Sequence, residues 1–128
     1  MINKYPESAA QCHGRVQRFL KASGISQSEF ARTTGYPRPH LCNWLNKGTV
    51  KYITSTTIDL FDRTVQEATR GVLLELSVNL SDDDTDALAG DTGLGIDGLA
   101  AFADGAWLDP EDATLLAEKL FAIPVVDG

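Results

Sequence analysis

Residues 24–48, GISQSEFARTTGYPRPHLCNWLNKG, are the stretch whose reading decides the fold. Ser26 stands three residues before Glu29, the spacing of a capping box, so a helix starts at about Gln27. Phe30 and Ala31 give that helix its apolar side, and Ala31 is small enough for a second helix to cross close by. Gly35 ends the helix, because a sharp turn demands a positive φ that glycine adopts cheaply. Pro37 suits the first turn of the next helix, residues 37–47, where a missing N–H is no loss. Leu41, Trp44 and Leu45 recur at i, i+3, i+4 and form a buried stripe. Gly48 closes that helix.

Outward from this pair, residues 8–23 read as a helix with Val16, Phe19 and Leu20 on one side, capped by Gly24. Residues 49–53 (TVKYI) are rich in β-formers and suit a short strand or an extended linker. In residues 54–70, Ile58, Phe61, Val65 and Ala68 recur in steps of three and four, an apolar stripe suited to covering the helix pair. Four such helices can build one small core.

Ile25, Ser26, Gln27, Phe30, Ala31, Gly35, Leu41, Trp44 and Gly48 give the chain its likeness to a family. Over about residues 9–70 it resembles the lambda-repressor-like (Xre or Cro/repressor) helix-turn-helix family. It departs from the pattern at Pro39, a second proline early in the second helix, and at Gly48, one residue later than the usual Trp-x-x-Gly. The resemblance implies that helix 37–47 lies in the major groove of double-stranded DNA and that two copies act on a palindrome. It also implies that Gln27 touches a phosphate or base edge and that Arg32 and Lys47 flank the site. Arg38, His40 and Asn43 are polar and avoid the Leu41–Trp44–Leu45 stripe, and Tyr36 sits at the turn. With Lys51 they complete the candidate DNA-binding set. Arg38 is the first choice for base reading, because arginine pairs bidentately with guanine. Trp44 is expected to be structural.

Charge is segregated along the chain. Residues 1–70 hold ten Lys and Arg against five acids, a net of +5. Residues 71–128 hold Lys119 against thirteen acids, a net of −12, and the two halves give the chain's −7. An acidic protein is ordinarily a poor DNA partner. Here the half with the helix pair is the basic one, so one surface suits nucleic acid and another suits something else.

At Gly71 the pattern changes. Val72, Leu74, Leu76, Val78 and Leu80 alternate with Leu73, Glu75, Ser77 and Asn79, and period two favours a β-strand over residues 71–80. The rival is a helix running from residue 54 to about 77. A strand here needs a partner: residues 50–53, residues 123–126, or its own copy across a two-fold axis. Residues 81–90 read as a helix with a Ser81–Asp84 capping box, residues 91–95 as a loop, and residues 96–104 as a helix stopped by Gly105. Asp109 and Pro110 open a last helix that ends before Pro124. The fold class is therefore mainly α. A four-helix DNA-binding domain spans 1–70, and a small acidic domain with one or two short strands, for dimerisation or partner binding, spans 71–128.

Other chemistries find little footing. Asp82, Asp84 and Asp86 lack the glycine and terminal glutamate of an EF-hand loop, with Ala87 and Gly93 at those places. Residues 91–95 (DTGLG) lack a P-loop lysine. Cys12, His13, His40 and Cys42 do not have the spacing of a structural zinc site, and the two cysteines read as reduced packing residues. His13 reads as a helix-surface residue. No catalytic constellation appears, so no enzyme and no cofactor is expected. No apolar run reaches the ~18–20 residues that span a bilayer, and residues 1–10 have no signal-peptide character, so a cytoplasmic protein is expected. The leading expectation is a dimeric phage- or mobile-element-type (auto)repressor. The competing one is an antitoxin, anti-activator or phage inhibitor whose acidic half captures a protein partner.

Overall fold

The computed structural model describes residues 5–47 and 53–123, and every regular element in them is a helix. In chain order these are α1 (Tyr5–Ser23), α2 (Gln27–Thr34), α3 (Arg38–Lys47), α4 (Ser55–Ser77), α5 (Asp82–Thr92), α6 (Gly95–Ala103) and α7 (Pro110–Phe121). The chain divides into two compact units, Met1–Thr64 and Val65–Gly128, and the division falls inside α4. None of the helices among the described residues is long and apolar enough to cross a membrane.

In the first unit, local chemistry sets the helix ends. The Ser26 hydroxyl accepts from Glu29 N at 3.1 Å, and Gly35 takes φ 75° to end α2. The Pro37 carbonyl accepts from Leu41 N at 3.1 Å, so Pro37 precedes α3, whose regular span begins at Arg38. Pro39 then falls in the first turn, where an N–H would have no intrahelical acceptor. Thr54 caps α4, its hydroxyl accepting from Thr57 N at 3.2 Å. The core gathers Cys12, Val16, Phe19, Phe30, Ala31, Leu41, Trp44, Leu45, Ile58 and Phe61. Phe61 is its hub: the rings of Phe30, Tyr36 and Trp44 lie 5.5, 5.3 and 5.3 Å from it. Beside that hub Arg15 grips Asp62 with two nitrogens at 3.1–3.3 Å, an almost buried pair joining α1 to α4.

Residues 71–77 are helix, not strand, and no strand occurs among the described residues. Val65, Thr69 and Leu73 are buried and Val72, Leu76 and Leu80 partly so, a spacing of three and four that the period-two pattern masked. Gly71 lies on the outer side with open space about it, so its cost to the helix is only the ~1 kcal/mol of glycine's freedom. A helix also satisfies its own backbone, whereas a strand needs a neighbour. Residues 48–52 and 124–128, which include most of the proposed strand partners, lie outside the described residues.

The second unit closes on Leu73, Leu88, Leu99, Phe102, Leu116 and Leu120. Leu116 and Leu120 are thus buried within one chain. Leu74, Val78, Ile96 and Trp107 stay exposed. Residues 91–95 are less of a loop than expected, since α5 runs to Thr92 and α6 starts at Gly95. Ser81 caps α5 through Asp84 N, and Asp109 caps α7 through Glu111 N. Gln66 is fully buried and pairs both ways with the Leu108 backbone, donating to its carbonyl at 2.7 Å and accepting from its N–H at 3.0 Å. Arg70 donates to the Phe102 and Ala106 carbonyls at 2.7 and 3.0 Å and stacks over the Phe102 ring at 4.7 Å.

Candidate nucleic-acid interface

Of the expected site residues, Arg38, His40, Asn43 and Lys47 lie on α3, whose sequence is two-faced. Leu41, Trp44 and Leu45 are buried. At ~100° per residue the opposite face carries Pro39, Asn43 and Asn46, with Lys47 beside them, and all four are exposed. The buried face fixes the exposed one. Trp44 stacks on Phe61 at an interplanar angle of 27° and meets the His13 ring edge-on at 5.2 Å. The last turn of α3 is tied to α1, because the Leu45 carbonyl accepts from His13 Nε2 at 3.1 Å and from Gln17 Nε2 at 3.0 Å. His13 is therefore a half-buried anchor of α3, not a surface residue as its sequence position suggested.

Gln27, the first residue of α2, meets the far end of α3. Its Nε2 donates to Asn46 Oδ1 at 3.0 Å, and Asn46 Nδ2 lies 3.4 Å from Gln27 Oε1. This pair puts the positive end of the α2 dipole beside the polar face of α3, an arrangement that attracts anions. Gln27, Asn43 and Lys47 are thus brought together, and Asn46 joins them. Sequence reasoning missed Asn46, although its i+3 spacing from Asn43 was a usable signal.

The remaining candidates are placed differently. Arg38 opens α3 and is exposed; at ~100° per residue it stands in line with Leu41 and Cys42, three and four positions on, and not on the face that carries Asn43. Tyr36 and His40 are half-buried and their rings lie 6.4 Å apart, so Tyr36 serves packing on Phe61 as well as the turn. Arg32 is exposed on α2, 3.6 Å from the Glu29 carboxylate. Lys51 lies outside the described residues.

Both cysteines are free thiols, Cys12 buried and Cys42 half-buried. Burial, reinforced by the Asp62 carboxylate, pushes the Cys12 thiol from its ordinary 9.0 up to about 12, with Arg15 pulling partly the other way. Cys12 is thus a packing group held neutral, unsuited to nucleophilic chemistry.

No family model, curated protein or solved structure matches this chain.

Proposed function

We propose that the chain is a sequence-specific DNA-binding transcriptional regulator, a dimeric (auto)repressor of phage or mobile-element type. In this reading α2 and α3 form the helix-turn-helix, and α3 reads the major groove of a palindromic operator. The observation that carries it is the exposed Asn43–Asn46–Lys47 face of α3, held in place from behind by Trp44 and from the side by the Gln27–Asn46 pair. Asparagine offers the donor–acceptor pair that adenine's major-groove edge accepts, and Arg38 offers the fork that guanine accepts. Gln27 acts on a phosphate or a base edge, and Arg32 and Lys47 act on phosphates, with no base preference of their own. The charge of the first unit, nine Lys and Arg against four acids, supports the same reading.

The test is a titration of the full chain against duplex DNA from upstream of its own gene, across a range of salt. Arg38→Ala relaxes base preference at its position, by about 1–3 kcal/mol of lost discrimination. Lys47→Ala weakens binding to all sequences alike and lowers the salt slope by about one contact. Unchanged affinity and base preference in Arg38→Ala and Asn43→Ala would remove α3 from the groove.

A further inference from the structure

The second unit carries an apolar groove. Leu73, Leu80, Leu88, Ile96, Leu99 and Ala103 line it, from α4, α5, α6 and the turn after α4. It encloses about 190 Å³. That is less than the ~300 Å³ at which small-molecule pockets begin, and suits side chains presented by another polypeptide. Ile96 in its lining is 48% exposed, and Leu74 and Val78, the chain neighbours of the lining residues Leu73 and Ser77, are 50% and 83% exposed.

Charge decides the occupant. Between Arg70 and Lys119 the chain has no lysine or arginine and twelve acids. Asp84 adjoins Thr85 on α5, and Asp97 and Asp104 adjoin Ile96 and Ala103 at the two ends of α6; all three are exposed. A second copy seated here would bring an equally acidic surface against this one, and like charges across an interface oppose association. A helix with an apolar stripe and lysine or arginine on either side meets both the groove and its rim. We propose that this groove binds a cationic amphipathic helix of a partner protein, apolar face inward and basic flanks on Asp84, Asp97 and Asp104. The site is independent of the DNA-reading face, so either assignment can fail alone.

The probe is a synthetic leucine–lysine peptide with its leucines at i, i+3, i+4 and i+7, titrated into the full-length protein by calorimetry and isotope-edited NMR. One peptide binds per chain, binding weakens with salt, and shifts centre on α4, α5 and α6. A peptide of the same composition with scattered leucines, and a leucine–glutamate peptide with the same stripe, each bind at least about tenfold more weakly. Ile96→Asp also weakens binding about tenfold, although it adds negative charge, because it spoils the apolar lining. Its DNA binding and helical circular dichroism stay unchanged. Val78→Asp, at a more exposed position, gives the same direction of effect. Equal binding of the scattered peptide would reduce the effect to bulk charge, and equal binding of the leucine–glutamate peptide would remove the acidic rim from it. Unchanged affinity in both variants would put the site elsewhere. A self-associated protein that Ile96→Asp splits into monomers would give the groove to a second copy. Each of these results overturns the proposal.

Discussion

Trp44 is buried to 1% exposure between Phe61 and His13, on the helix proposed to read DNA. Trp44→Ala is expected to cost on the order of 3–5 kcal/mol in urea unfolding, as large aromatic truncations do. Among the described residues its Nε1–H is buried without an acceptor, so the indole contributes area and ring contact, not a hydrogen bond. Trp44→Phe should therefore retain more than half of what Trp44→Ala loses. A phenylalanine variant as unstable as the alanine one would show the N–H to be needed. Cys12 supports a second prediction. Its folded pKa lies above the unfolded one, so the folded chain keeps a proton that the unfolded chain releases. That stability is complete below pH about 9 and is lost as pH rises from about 9 toward about 12. Cys12→Ala should flatten this alkaline decline in a denaturation series, even if the variant is less stable overall. A decline of the same slope would assign it to other groups.

At the scale of elements, two glycines make opposite predictions. Gly71 lies in the outer face of α4 with open space where a Cβ would go. Gly71→Ala should stabilise by roughly 0.5–1 kcal/mol, since alanine gives up less freedom in a helix. Gly35 sits at φ 75° after α2, and Gly35→Ala should destabilise by about 1–2 kcal/mol through the Cβ clash of left-handed backbone. Thermal melts of the two variants check both signs. A destabilising Gly71→Ala would bring back the strand for residues 71–80. Gln66 is the other element-scale device, a fully buried amide standing in for a missing backbone partner of Leu108. Replacing it with leucine leaves two backbone groups to find water, at a cost of about 1–3 kcal/mol each.

At the scale of the molecule, charge is divided as the proposed function would need it. The first unit carries the candidate reading helix and a net +5; the second carries −12. DNA affinity should fall steeply with salt despite the chain's overall −7, because counterion release follows the contacting surface and not the total charge. Sedimentation with and without operator DNA should give two chains per palindromic site. One chain per site at saturation would replace the dimeric repressor with a monomeric reader. The unit boundary bears on deletion experiments. A cut after Arg70 severs α4 and strands Arg70 from the Phe102 and Ala106 carbonyls, so point variants probe the halves more cleanly than fragments.

What the sequence determined by itself is what local chemistry controls. Ser26, Gly35, Ser81 and Asp109 mark helix ends because caps and positive-φ turns act within a few residues. The Leu41–Trp44–Leu45 stripe separates the buried face of α3 from the exposed one because helical spacing is fixed. The tertiary structure decided the rest. Whether residues 71–77 are helix or strand turned on available partners: α5, α6 and α7 supply an apolar surface that takes Leu73 and Leu76 at helical spacing, and no described strand offers an edge. The Gln27–Asn46 pair, the His13 and Gln17 bonds to Leu45, and the Arg15–Asp62 grip join residues 19 to 47 positions apart. No local pattern encodes such pairings, because they exist only once the helices have packed and left those polar groups facing one another.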